Sequence, residues 1–129
     1  MEIIAIPSDR DGGLNEIFHT KFGRCDSFTF VTIDNNNKIT QVKVIENSAA
    51  SEARNAGTVA AKIIKNNKAE KLIVSKLGRN ASIALNSLNI KTIQAPERKI
   101  LVKDLLALYL KGKIKITPSE DLIIAKDLE

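Results

Sequence analysis

Five short runs of apolar and β-branched residues are spaced along the chain and predict five β-strands. They cover residues 3–7, 28–34, 39–45, 71–75 and 90–93. The first run stops at Pro7, before a polar turn, and an isolated apolar run of this length is typical of a buried strand. The second and third runs are separated by the short polar turn Asn35-Asn36-Asn37, which predicts an antiparallel hairpin.

Three other segments show the spacing of an amphipathic helix, with apolar residues at intervals of three and four. The residues are Ala56, Val59, Ala60, Ile63 and Ile64 in the first, Ala81, Ala84, Leu85 and Leu88 in the second, and Leu101, Leu105, Leu108 and Tyr109 in the third. Either Ser51 or Asn55 is expected to cap the first helix, and Asn80 the second. Asn66-Asn67 ends the first helix, and Gly112 ends the third.

The order of these elements indicates a single α/β domain. A strand and a hairpin come first, and helices then alternate with strands, which requires parallel pairing with right-handed crossovers. We therefore expect a mixed five-stranded sheet flanked by helices. Residues 115–129 form a C-terminal extension with Leu122-Ile123-Ile124 between charged flanks. It is an extra strand, an interaction tail or a partly disordered segment, and the pattern is consistent with each.

The composition is that of a globular cytoplasmic protein. Hydrophobic residues make up 43% of the chain and charged residues 27%, which argues against a disordered chain. No apolar run reaches the roughly 20 residues that span a bilayer, and the N-terminus lacks the basic segment of a signal peptide. Cys25 is the single cysteine, so no internal disulfide forms. These features favour the cytoplasm and argue against a membrane partner.

The distribution of arginine points to an anionic partner. The net charge is +5, and all five arginines fall in or beside predicted loops, at Arg10, Arg24, Arg54, Arg79 and Arg98. A guanidinium donates hydrogen bonds in a planar fork and is well suited to binding an anion. The alternative is that these arginines are solvated surface residues.

Two predicted helix starts carry the pattern of an anion site. Gly78-Arg79-Asn80 follows the fourth strand, and Arg54 precedes Asn55-Ala56-Gly57. Free amides and the helix dipole attract anions at such positions, and ligands of open α/β sheets gather at this carboxyl edge. The predicted contacts to an anionic cofactor or phosphorylated metabolite are Arg24, Arg54, Asn55, Gly57, Gly78, Arg79 and Asn80. The alternative is that both glycines serve only turn geometry and close helix packing.

Metal ligation has two candidate residues, Cys25 and His19, which fall in one predicted loop. Thiolate and imidazole are the ligands that soft metals and clusters prefer. Two side chains do not supply a usual four-ligand cluster site, so a metal site would be shared across a homodimer or would hold its cofactor mainly by charge. The alternatives are a small, semi-buried apolar role for Cys25 and a surface loop position for His19.

No catalytic set is evident, and we predict a binding module rather than an enzyme. The sequence has no P-loop, no His-Glu-x-x-His and no Gly-x-Ser-x-Gly motif. Asp9, Asp11 and Asp34 fall in or beside turns and do not form a convincing two-metal nuclease site.

Two rival binding functions stay open. The third helix and the tail carry lysines that can contact nucleic acid, at Lys99, Lys103, Lys111, Lys113 and Lys115. Few aromatic residues are present for base stacking, so we do not favour nucleic acid. The apolar triplet of the tail can instead add a strand to a partner protein or to a second copy.

Several motifs, in this order, resemble one family. They are Ile-Ala-Ile-Pro-Ser-Asp at 4–9, Phe22-Gly23-Arg24, Glu46-Asn47, Asn55-Ala56-Gly57, Leu-Gly-Arg-Asn-Ala at 77–81 and the closing helix at 105–112. Residues 1–114 resemble the dinitrogenase iron–molybdenum cofactor biosynthesis family. The resemblance implies an RNase H-like topology and a protein that binds or carries an iron–molybdenum or iron–sulfur cofactor.

The chain departs from the family where cluster-binding members often have histidines. One such histidine stands just before the Phe-Gly-Arg segment, where this chain has Lys21, and His19 is displaced by two residues. The second stands before the Gly-containing helix start, where this chain has Arg54 and Asn55. The resemblance therefore also includes the alternative of a relative that has lost the cofactor and binds something else.

Overall fold

The computed structural model describes residues 1–124, which form one five-stranded sheet and three α-helices. The strands are β1 (Glu2–Ser8), β2 (Ser27–Ile33), β3 (Ile39–Glu46), β4 (Lys71–Val74) and β5 (Lys91–Gln94). The helices are α1 (Ala56–Asn66), α2 (Arg79–Ser87) and α3 (Val102–Leu110). No helix in this described part of the chain is long and apolar enough to cross a membrane.

The sheet is mixed, as the alternation of elements predicts. Its strand order is β3-β2-β1-β4-β5. β1, β2 and β3 pair antiparallel, whereas β4 pairs parallel to both β1 and β5. The parallel strands end at the same edge of the sheet, and the loops that follow β4 and β5 therefore lie at one edge.

The two faces of the sheet bury separate apolar clusters. On one face α1 and α2 pack Ala60, Ile64 and Leu85 against Phe28 and Leu72. On the other face α3 packs Val102, Leu105 and Leu106 against Ile4 and Ile73. Helices therefore flank the sheet on both sides, which confirms the predicted architecture.

The three helices end in the same way. Lys68, Asn89 and Gly112 adopt positive φ just after α1, α2 and α3. The next amide in each case donates to the carbonyl five residues back, as in a Schellman motif. Gly112 confirms the predicted end of α3. Ile90 donates to Leu85 O at 3.0 Å, which explains why β5 begins one residue later than the apolar run predicts.

The helix starts differ from the prediction. Asn55 occupies the N-cap position of α1, but its backbone is left-handed (φ 59°) and its side chain makes no capping bond. The expectation that Asn80 caps α2 is wrong, because the helix begins at Arg79 and Gly78 is its N-cap. Neither helix start is therefore capped by its own side chain.

The start of α1 lies unusually close to the start of α2. A Cβ placed on Gly57 would lie 2.6 Å from the Cβ of Ala81, and one placed on Gly23 would lie 3.0 Å from the Gly57 nitrogen. Real Cβ atoms essentially never approach to 2.6 Å, and a contact of 3.0 Å is tighter than nine in ten real ones. Close packing is thus one role of Gly57, which lets the 22–24 loop, α1 and α2 meet.

The structure describes the C-terminal extension as far as residue 124, and we call residues 113–124 the C-terminal strap. It bridges β5 through Ile93 and Ile116, and the Thr117 amide donates to Thr92 O at 2.8 Å. A short 3-10 turn at Ser119–Leu122 then packs on α2. The predicted tail residues beyond 124 lie outside the described residues.

Replacing Gly57 with alanine should destabilise the protein, because the new methyl group collides with Ala81. We expect the free energy of unfolding to fall by about 1–3 kcal/mol, measured by urea denaturation. The control is Gly78→Ser, where a Cβ meets nothing within 4 Å and serine is a good N-cap. Its free energy of unfolding should stay the same or rise slightly; equal losses in both variants would contradict the packing argument.

Candidate functional site

A cavity of about 700 Å³ lies at the edge where the parallel strands end, and we call it the edge cavity. Its wall consists of residues 20–24, 55–57 and 76–81, together with Glu97 and Ile124. The segment 76–81 joins β4 to α2, and 55–57 is the first turn of α1. The close contact of Gly57 with Ala81 places these two helix starts side by side.

The edge cavity brings together six of the seven residues predicted to contact an anion. Arg24, Asn55, Gly57, Gly78, Arg79 and Asn80 all contribute to its lining. Arg54 does not, and it lies on the exposed turn that precedes α1. The predicted convergence at the carboxyl edge is therefore observed for two helix starts and two arginines, while Arg54 is not part of the lining.

At the starts of α1 and α2, Gly57, Asn80 and Ala81 belong to the lining of this site. Within residues 1–124, no carbonyl or side chain accepts a hydrogen bond from the amides of Gly57, Thr58, Asn80 or Ala81. The start of α3 is different, because its Val102 amide donates to Glu16 O at 2.8 Å. Two helix starts thus present open donors and the positive ends of their dipoles to one cavity.

Four basic side chains and one acidic side chain belong to the lining. They are Lys21, Arg24, Lys76, Arg79 and Glu97. Arg24 is oriented by two bonds, from Nη1 to Ala50 O at 2.9 Å and to Glu52 O at 2.7 Å. Lys76 Nζ lies 3.1 Å from Glu97 Oε2. The described lining residues therefore carry a net positive formal charge.

Sequence reasoning missed Lys21 and Lys76. The two residues form an isolated parallel bridge, which brings the 20–24 loop beside the end of β4. A weak signal was present, because Lys21 directly precedes the Phe-Gly-Arg motif and Lys76 directly precedes Leu77-Gly78-Arg79. The signal is the position of each lysine beside a motif, because a lysine by itself does not indicate a site.

Gly78 is open toward solvent and has no structural reason to be glycine. Its φ of −75° suits any residue, and a Cβ built on it meets nothing within 4 Å. Neither turn geometry nor close packing therefore explains the glycine at position 78, whereas close packing does account for Gly57. The absence of a side chain leaves the backbone at the start of α2 accessible from the edge cavity.

Cys25 and His19 are not part of the edge cavity. Cys25 is fully buried between the loop and β2, and its Sγ donates to Phe22 O at 3.3 Å and accepts from Asn47 Nδ2 at 3.5 Å. Burial raises the pKa of the thiol to about 12, so the thiolate needed for ligation is disfavoured. His19 borders a separate depression, where its Nδ1 accepts from the Lys21 amide at 3.0 Å.

The described residues contain no group of three or more His, Cys, Asp or Glu side chains that could hold a metal ion. The apolar role considered for Cys25 agrees with its burial, and the loop position considered for His19 agrees with its placement. The structure thus brings together the predicted anion contacts but not the two predicted metal ligands.

The protein is similar in sequence and structure to several known proteins. An uncharacterized protein of Methanocaldococcus jannaschii is 31% identical over 112 residues, which are 87% of this chain and 88% of that protein. The apo form of the orange protein from Desulfovibrio gigas superimposes with a TM-score of 0.80 at 23% identity, covering 92% of this chain and 95% of the other. A Thermotoga protein provisionally named a NifB protein gives 0.73 at 23% identity, with 90% and 93% covered.

These two structural similarities support the fold alone, because both sequence identities are below 25%. The family described as dinitrogenase iron–molybdenum cofactor matches residues 1–112. That segment contains all five strands, all three helices and nearly the whole lining of the edge cavity. Because this match spans most of the sequence, the chain belongs to the dinitrogenase iron–molybdenum cofactor family.

Proposed function

We propose that the protein binds an anionic ligand in the edge cavity and that this ligand is a preassembled metal–sulfur cofactor or precursor. The observation that carries the proposal is the pair of helix starts at which the amides of Gly57, Asn80 and Ala81 have no acceptor among residues 1–124. Amides such as those of Gly57 and Asn80 can bind oxygen or sulfide atoms of an anion. The lysines and arginines of the lining add long-range attraction.

The donor chemistry fits an anion held by charge and backbone amides. It does not fit a cluster ligated directly by this chain. The lining contains neither cysteine nor histidine, and Cys25 is a buried thiol. Direct ligation by Cys25 and His19 is therefore not the function that we propose. Family membership supplies the ligand class, and the cavity supplies the mode of binding.

Several expectations remain proposals beside this one. We regard the protein as a binding protein or carrier rather than an enzyme, cytoplasmic, and able to form a homodimer. The RNase H-like topology is a further prediction that rests on the family resemblance. A nucleic-acid partner is the alternative, and no contact among the described residues favours it over the anion.

Removing one positive charge from the lining should weaken anion binding. The probe is tetrathiomolybdate, a soluble molybdenum–sulfide anion, titrated anaerobically and followed by visible absorbance and calorimetry. Lys21→Gln should raise the Kd by roughly threefold to tenfold, since a charge pair near a protein surface contributes on the order of 1 kcal/mol. Higher ionic strength should reduce the difference.

The matched control is Lys62→Gln, which removes an exposed lysine of α1 outside the cavity lining. Its Kd should equal that of the wild type. If both variants lose affinity equally, the binding reflects overall charge and not the edge cavity. If the wild type binds no anion but gives a salt-dependent gel shift, the nucleic-acid alternative is supported instead.

Gly78→Ser should change stability and binding in opposite directions. A serine hydroxyl at the N-cap can accept from the amides of Asn80 or Ala81 and so occupies the donors proposed for the ligand. We expect the free energy of unfolding to stay level or rise by a few tenths of a kcal/mol, while the Kd for tetrathiomolybdate increases. Unchanged affinity in a folded variant would show that these amides do not contact the ligand.

Cys25 should be unreactive in the folded protein and dispensable for binding. A thiol reagent at pH 8 should label it slowly in buffer and rapidly in urea, because the side chain is buried and its pKa is raised to about 12. This raised pKa favours the folded state at neutral pH, and the contribution is lost as pH rises from about 9 towards 12. Cys25→Ala should therefore show a smaller alkaline loss of stability.

The same variant tests ligation directly. Cys25→Ala should bind tetrathiomolybdate with the wild-type Kd and should take up as much iron and sulfide as the wild type in anaerobic reconstitution. Loss of stoichiometric metal uptake in this variant alone would contradict the proposal and restore Cys25 as a ligand.

A further inference from the structure

The C-terminal strap reaches the edge cavity from outside the segment that matches the family. The family match ends at residue 112, whereas the strap continues past α2 and places Ile124 in the cavity wall. The basic residues and both helix starts come from the matched segment. The wall that Ile124 contributes thus comes from outside the segment that matches the family.

Backbone hydrogen bonds fix the end of the strap beside the start of α2. The Leu77 amide donates to Leu122 O at 2.9 Å, and the Ile124 amide donates to Leu77 O at 3.0 Å. Leu77 itself lines the cavity, one residue before Gly78. The strap therefore both holds the loop from β4 to α2 and sets the position of the Ile124 side chain.

Two buried contacts hold the strap against α2 and the apolar cluster beneath it. Leu122 is only 3% exposed and joins the apolar cluster under α1 and α2. Ser119 Oγ lies 2.8 Å from Ser82 Oγ on α2, and both residues are buried. Ile124 itself is half-buried, so its side chain remains available to a ligand.

We infer that the strap completes the ligand site and that Ile124 makes it selective for large, weakly hydrated anions over small, strongly hydrated ones. This inference rests on the proposed function, since it assigns a selectivity to the same cavity. The basic residues and amides attract any anion. The apolar wall removes water from the anion without replacing the hydrogen bonds that this water made.

The physical reason is desolvation. An apolar wall provides no hydrogen bonds, so an anion that must give up tightly bound water against it loses affinity. The oxygen atoms of an oxyanion accept strong hydrogen bonds from water. Sulfide atoms are larger, more polarisable and more weakly hydrated, and they gain dispersion contacts from the sec-butyl group of Ile124.

The test compares two probes that differ only in the atoms around molybdenum. Tetrathiomolybdate and molybdate have the same charge, and the ratio of their Kd values measures the selectivity. The full-length wild type should bind tetrathiomolybdate more tightly. Ile124→Ala should lower the selectivity ratio by roughly threefold to tenfold, the scale of losing part of an apolar contact in a pocket.

Ile123→Ala is the matched control, since Ile123 is the adjacent, equally half-buried isoleucine outside the cavity lining. It should leave the ratio unchanged. Ile124→Val and Ile124→Thr form a second pair. Valine and threonine have nearly the same shape, and threonine carries a hydroxyl where valine carries a methyl group. Both should fold, and only the threonine variant should show a clearly lower selectivity for the sulfide anion.

The outcomes separate this inference from the proposed function. If the wild type binds both anions and the ratio is the same in Ile124→Ala, the inference is wrong and the anion site stands. A fall of equal size in Ile123→Ala would also overturn it, because the effect would then come from loosening of the strap. If the wild type binds neither anion, the proposed function fails and the selectivity with it.

Discussion

The contact between Gly57 and Ala81 is the constraint on which the rest of the site depends. Two helices can start side by side at one edge of a sheet only if their first turns carry almost no side-chain volume at the crossing. Gly23 extends the same requirement to the preceding loop, where a Cβ would lie 3.0 Å from the Gly57 nitrogen. The small residues of the family-like motifs thus bring three segments of backbone together, and the cavity forms between them.

This arrangement has an electrostatic cost in the free protein. Two helix dipoles point their positive ends into one cavity, where Lys21, Arg24, Lys76 and Arg79 also contribute and Glu97 is the one acidic lining residue. Like charges that converge in this way repel, although solvent screens most of the effect at the open mouth. A bound anion relieves that repulsion and stabilises the folded state by mass action. The geometry therefore couples ligand binding to stability.

Local patterns in the sequence predicted the architecture well. Strands and helices emerge from apolar spacing over a few residues, and the hairpin and the helix end at Gly112 follow from turn chemistry. The sequence favours Asn80 as the N-cap of α2 because a polar side chain is the usual signal. The N-cap in the structure is Gly78, which has no side chain. Local pattern gives no means of distinguishing these two positions.

The candidate site was predicted in part, and the failures have a common cause. Arg54 and Lys21 both border glycine-containing motifs, but only Lys21 lines the cavity. At the start of α1 the lining begins at Asn55, whose backbone is left-handed, and it does not include Arg54. Whether a side chain faces the cavity depends on such turns and on pairings between distant segments. Ile124 enters the wall through a bridge between Leu77 and Ile123, which no periodicity in the sequence reveals.

The pairing of the strap with β5 also limits how the sheet can associate. Ile116 and Thr117 cover the outer side of β5, so that edge has no long row of open amides and carbonyls. In the described part of the chain β3 pairs only with β2, and it is interrupted by a register shift and carries the charged residues Lys43 and Glu46. Such features discourage strand-to-strand aggregation at an exposed edge. A shorter relative that ended at residue 112 would leave the outer edge of β5 unprotected, and the strap therefore also lowers the tendency of this fold to aggregate.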